Sequence, residues 1–140
     1  MTTLPEDREV TFVVCETVRE EKGGKLSLLG LYPGNRLNVP QDTIEATLPL
    51  ALVFFVDGGS GLFKSSASLI SPTGKAVVDK SDLPDHDKKE DAANVVLMQL
   101  IPFKTTDFGT FKVLLQLDDR TYERTFSINK GPVQPHDECG

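Results

Sequence analysis

Glu20-Glu21-Lys22-Gly23-Gly24-Lys25-Leu26-Ser27-Leu28-Leu29-Gly30-Leu31-Tyr32-Pro33-Gly34 joins two β-rich runs through a charged turn. Gly23 and Gly24 can adopt φ > 0 without a side-chain clash, as a tight reversal between right-twisted strands requires. The stretch therefore predicts an early hairpin, with Val10 to Val18 as its first strand and Lys25 to Tyr32 as its second. Tyr32-Pro33-Gly34-Asn35 follows as a type II turn, with Pro at its second position and Gly at its third. The hairpin sets the class of the molecule and carries no chemistry.

Working outward, the pattern stays β. Leu48 to Val56 is a strong strand, and Pro49 suits its first position or a sheet edge. Asp57-Gly58-Gly59-Ser60-Gly61 reverses the chain. Leu62 to Ile70 alternates, with Phe63, Ala67 and Leu69 on one face and Lys64, Ser66 and Ser68 on the other. Ser71-Pro72-Thr73-Gly74 signals a type I turn. Lys75 to Asp79 reads as a short strand, and residues 80–91 as a charged connection with one helical turn after Pro84. Strands follow at Asn94 to Ile101, at Gly109 to Leu117 and, after a turn at Asp118 to Thr121, at Tyr122 to Ile128. Residues 35–47 are irregular and cross between sheets, with a short strand at Arg36 to Val39.

About eight evenly spaced strands with Gly/Pro reversals predict an all-β, antiparallel β-sandwich, immunoglobulin-like or C2-like, with a β-barrel as the alternative. Residues 1–128 form one domain and residues 129–140 a loose tail without apolar pattern. A chain of 140 residues needs no disulfide or metal staple to build its core.

The net charge of −6 and pI near 4.9, with basic residues scattered among acids, exclude a phosphate-binding surface for nucleic acid or acidic membrane. Cys15 sits inside an apolar strand and Cys139 in the tail, so both are expected as free thiols in a reducing cytoplasm. Met1 to Asp7 shows neither the basic nor the apolar region of a signal peptide. The longest apolar run, Leu48 to Val56, is far short of a membrane span.

Candidate chemistry is sparse. Gly59-Ser60-Gly61 lacks the third glycine and the helix of a dinucleotide fingerprint. Gly24-Lys25 and Gly74-Lys75 lack the leading glycine of a P-loop, and both read as turns. The two histidines, His86 and His136, fall in the charged connection and the tail, where neither is held beside a nucleophile or in a zinc set. Without Trp, and with only Tyr32 and Tyr122, the chain lacks a sugar-stacking platform. No catalytic, cofactor-binding or metal-binding residue is assigned, and no cofactor is expected.

Two features remain. Simple alternation of strand direction would gather Glu20, Glu21, Asp57, Asp82, Asp85, Asp87, Glu90, Asp91, Asp118 and Asp119 at one end. That end reads as a solvated rim or as a Ca²⁺ site, and a strand at residues 36–39 would break it. Second, Leu50 to Val56, Val95 to Met98 and Val113 to Leu115 are apolar on both faces. Their second faces need cover, either from residues 33–47 or 80–92 or from a second copy of the chain contacting Phe55.

The Gly-Gly-Lys-Leu-Ser-Leu-Leu-Gly core of Gly23 to Gly30 resembles the hairpin of a family of small uncharacterised bacterial proteins. Asp107 to Val113 and Phe126-Ser127-Ile128 are similar to that family's closing hairpin. The resemblance covers most of residues 9–128. It implies an all-β sandwich in a bacterial protein of unknown function and brings no catalytic residues. The expectation is thus a non-enzymatic binding or assembly module with a protein partner or a homodimer, the alternative being a Ca²⁺-dependent binding module that uses the acidic loops.

Overall fold

The computed structural model describes residues 2–89 and 92–131, without the side chains of residues 80, 81, 84 and 86. Among these residues there are nine strands and no α-helix: β1 (Val10–Glu20), β2 (Leu26–Leu31), β3 (Arg36–Pro40), β4 (Ala46–Val56), β5 (Gly61–Ile70), β6 (Ala76–Lys88), β7 (Asn94–Thr105), β8 (Gly109–Leu117) and β9 (Arg120–Gly131). One sheet has the order β2-β1-β4-β7 and the other β3-β9-β8-β5-β6. The sheets share no strand, so the architecture is a sandwich and not a barrel. With β4 beside β7 and β5-β8-β9 in the opposite sheet, the crossings are those of the B–E and C–F–G strands of an immunoglobulin-like sandwich.

Alternation builds the core. Phe111, Val113, Leu115 and Leu117 of β8, with Tyr122, Phe126 and Ile128 of β9, face inward and are buried. They meet Phe12, Val14, Leu50, Leu52, Phe54 and Val56 from the other sheet. The Phe111 and Phe126 rings stack with centroids 5.1 Å apart, and those of Phe12 and Phe54 lie 4.9 Å apart. Full burial of side chains this large stabilises by about 1.5–3 kcal/mol each, so this layer dominates the favourable side of folding.

The first hairpin and its exit turn match their sequence signals. Gly23 and Gly24 have φ of +84° and +78°. Gly34, at φ 66° and ψ 15°, occupies the third position of a type II turn that the Asn35 N–H closes on the Tyr32 carbonyl at 3.0 Å. The Asn35 carboxamide then docks on the backbone of β1. It accepts from the Val14 N–H at 3.0 Å and donates to the Phe12 carbonyl at 3.3 Å, standing in for a strand where β2 no longer reaches.

Several expectations are corrected. Residues 80–88 continue strand β6 rather than forming a charged connection with a helical turn. Pairing from Gly61↔Lys88 to Ile70↔Ala76 satisfies the free edge of β5, and ladder hydrogen bonding overrides the polar composition. Asn129, Lys130 and Gly131, read as loose tail, belong to β9, because β3 pairs with them. That β3–β9 pair is parallel, in a sandwich expected to be antiparallel. Pro49 lies in a central strand, at the register shift between Leu48 and Leu50, where a missing N–H costs no ladder bond.

The cover for the second face of β4 is a further correction. Ala51 and Val53 of β4 and Cys15 of β1 point away from the core, yet each is 0% exposed. Val18 of β1 and Leu28 of β2 pack against them, together with Val13, Phe55 and Leu97. Among the described residues the covering segment is thus the chain's own first hairpin, with none from 33–47 or 80–92. Val14 faces the main core whereas Val18, on the same parity, faces this second cluster, so β1 changes face between them. Gly30, opposite that change, has φ +68°, and the Glu16 side chain fills the space its Cβ would take.

Candidate functional site

β6 and β7 are the edges of different sheets, and the sandwich is open between them. A cavity of about 480 Å³ lies in this opening, lined by Ser65, Leu83, Asp85, Asp87, Val96 and Leu97 among others. β5 places Ser65 there because its inward face reads Phe63, Ser65, Ala67, Leu69. Ser65 is 5% exposed, and its Oγ is buried without a hydrogen-bond partner. β6 contributes Leu83, paired with Ser65, whereas a register shift farther along sets Asp87 opposite the exposed Leu62. Across the opening, the Asn94 carboxamide donates to the Asp87 carbonyl at 2.8 Å and links the two strands. Lys89 Nζ approaches Asp87 Oδ2 at 3.5 Å from the solvent side, with both side chains more than half exposed. Such a pair is largely screened and does not neutralise the cleft. The cleft has an apolar floor with the Ser65 hydroxyl buried beneath it, and the Asp87 carboxylate lies on its solvent side.

The acidic residues grouped from the sequence do not converge on one site. β3 is formed, and the first hairpin folds back over β4, so that Glu20 and Glu21 line a shallow pocket with Val95, the partner of Phe55, on the outer face of the sheet. Asp82, Asp85 and Asp87 are spread along β6 rather than gathered in a loop. Asp118 Oδ1 accepts from the Lys64 N–H at 2.9 Å, which ties the β8–β9 turn to β5. Glu21 Oε2 accepts from Ser27 Oγ at 2.7 Å within the hairpin. Among the described residues no group of three or more His, Cys, Asp or Glu is arranged to hold a metal ion. Glu90 and Asp91 lie outside the described residues.

Cys15 is a buried free thiol. Burial, and after it the Glu16 carboxylate, pushes its pKa above the ordinary thiol value, which suppresses the thiolate and so the nucleophile. His86 lies on β6, but its side chain, like His136 and Cys139, falls outside the described residues. Lys88 is 2% exposed, and its ammonium donates to the Lys89 carbonyl at 2.6 Å and the Gly59 carbonyl at 3.4 Å. These bonds tie the end of β6 to the β4–β5 turn. Among the described residues no helix is long and apolar enough to cross a membrane.

At the opposite edge of the first sheet, β2 pairs among the described residues with β1 alone. Its six residues, Leu-Ser-Leu-Leu-Gly-Leu, carry no charge, and Leu29 and Leu31 are 40% and 54% exposed.

The sequence analysis missed Ser65 and the cleft. The available signal was a serine on the inward parity of an otherwise apolar strand face. The opening itself was not legible, because β6 was read as a connection and the edge it forms was not foreseen. No known protein family matches the chain, and no curated protein is significantly similar to it.

Proposed function

We propose that this protein is a binding and assembly module that works without catalysis, and that β2 is its contact strand. The observation that carries this is the β2 edge: free backbone donors and acceptors along an uncharged strand with two exposed leucines. Protein edges of this kind are ordinarily blunted by charge, proline or cover, because they template pairing with another chain. β2 carries neither charge nor proline, and its one irregularity is Gly30 at φ +68°. The partner is a second copy, joined β2 to β2 in antiparallel fashion about a two-fold axis, the commonest closed solution for identical chains. Such a contact continues the four-stranded sheet across the interface and buries Leu29 and Leu31 of both copies.

Sedimentation of the full chain tests this. At about 50 µM, well above a micromolar dissociation constant, the wild type is expected as a dimer. Leu29→Lys with Leu31→Lys is expected as a folded monomer whose thermal midpoint falls only by the stabilisation that dimerisation adds, since both side chains are exposed in the single copy. A monomeric wild type would overturn the proposal. A dimer that persists in the double variant would move the interface off β2.

A further inference from the structure

The β2 contact leaves the far edge of the same sheet, β7, with no strand on its free side among the described residues. The edges of the other sheet are blunted. β3 is five residues long, with Arg36 at one end and Pro40 at the other. β6 carries Asp79, Asp82, Asp85 and Asp87, with a proline at position 84. β7 carries neither charge nor proline from Asn94 to Ile101, a longer run than the whole of β2. Shortness, charge and proline keep sheet edges from pairing with other chains, and an edge that lacks them is a template for a further strand. The core is also incomplete along this edge. Leu50 and Leu52 of β4, which has a strand on either side, are 0% exposed. Their β7 partners, Leu100 and Met98, pack on the same core yet are half-buried, as are Val78 and Leu83 of β6 across the opening. Leu83 and Val96 border the cavity of about 480 Å³. We infer that β7 accepts an extended segment of a partner protein as an added strand. The segment bears aliphatic residues at alternate positions and no acidic residue.

Backbone, burial and charge together specify this occupant. The unpaired N–H and C=O groups of β7 call for another extended backbone, the usual mode of strand addition to a sheet edge. A period of two then sets every second side chain of the segment over the half-buried row of Met98 and Leu100, where apolar burial is gained. The intervening side chains continue the outer face beside Val95 and Ile101, which are 37% and 54% exposed. A small apolar ligand would fill the cavity and leave the edge unpaired. A second copy is disfavoured by charge. Two β7 strands joined about a two-fold axis would bring the β6 strands of both copies edge to edge. The aspartates of β6 outnumber its lysines, and the whole chain carries a net charge of −6. Such like-charge juxtaposition suppresses the contact, whereas a neutral or basic segment escapes it. The β7 site lies at the opposite edge from β2 and stands independently of that contact.

Amide chemical shifts of the full chain test the site. The probe is an acetylated and amidated peptide of alternating valine and threonine flanked by lysines. It is expected to move the amides from Val95 to Ile101 and to slow hydrogen exchange at those that face the edge. The same peptide N-methylated at two consecutive central residues loses a donor on each of its edges and should leave them nearly unmoved. Val95→Lys with Ile101→Lys charges the edge at two exposed positions, so the strand stays folded, and should weaken the peptide about tenfold. β7 amides that stay still with the peptide would overturn the inference. Equal response to the N-methylated peptide would reduce the opening to an apolar gap. Shifts confined to β2 would overturn the β7 site while leaving the β2 edge as a strand template. Shifts of the β7 amides on dilution of the chain alone would assign the edge to a second copy, and undiminished binding in the double variant would place the segment elsewhere.

Discussion

Val18→Ala combined with Leu28→Ala should open the first hairpin without dissolving the sandwich. The two side chains cover Cys15, Ala51 and Val53 and are themselves half-buried. Full burial of a Val or Leu stabilises by about 1.5–3 kcal/mol, so truncating this half-buried pair to alanine should cost about 1.5–2 kcal/mol in total. If the hairpin opens as a local unit, that loss raises its open population about 10- to 30-fold. Cys15 reports on it directly, being 0% exposed when the hairpin is closed. In a Cys139→Ser background under native conditions, labelling of Cys15 by a disulfide thiol reagent should accelerate by that factor. The raised Cys15 pKa keeps the absolute rate low near neutrality and makes it climb with pH beyond the ordinary thiol range. Leu69→Ala supplies the control. Leu69 lies in the main core, so its loss lowers global stability by about 2–5 kcal/mol without touching the hairpin. It should leave the labelling rate nearly unchanged. Labelling that Val18→Ala/Leu28→Ala does not accelerate, or that Leu69→Ala accelerates equally, would refute the hairpin as a separately opening cover.

Two further outcomes are expected. Burial raises the pKa of Tyr122, with Asp7 and Glu9 adding and Arg120 opposing, and burial likewise raises that of Tyr32. A raised folded-state pKa means the neutral phenol is favoured by folding. The stability is therefore fully present below about pH 10, the unfolded tyrosine value, and is lost as pH rises through the folded value. Denaturant midpoints measured from neutral to strongly alkaline pH should fall along that limb, and Tyr122→Phe should flatten it, although it also removes the phenol's bond to the Pro5 carbonyl. Asn35→Ala should cost about 2–3 kcal/mol in chemical denaturation, from two lost bonds to β1 and a side chain forced to a left-handed backbone. Asn35 has φ +56°, so Asn35→Gly, which relieves only the backbone cost, should recover part of the loss. Equal stability of the two variants would show that the carboxamide bonds account for the whole effect.

Legibility followed the range of the forces involved. Period-two alternation placed Phe111, Val113, Leu115 and Leu117 on one face because burial of one face is a local, repeating constraint. Glycines at positive φ placed the hairpin and the turn after Tyr32 for an equally local reason. The amino-acid sequence by itself therefore determined the all-β class, most strand positions and the inward residues of the core. The double apolarity of β4 was also visible, but its cover was not. That depends on β1 changing face opposite Gly30, which swings Val18 and Leu28 over Ala51 and Val53. The strand character of β6 was equally hidden, since its polar residues are held by pairing with β5 and not by any pattern of their own. The cleft follows from that pairing: only when β6 and β7 end two separate sheets does an opening lined by Ser65, Leu83 and Val96 lie between them. Backbone pairing between segments far apart in the chain has no local sequence signature, and for that reason only the tertiary structure decided the edges, the cover and the candidate site.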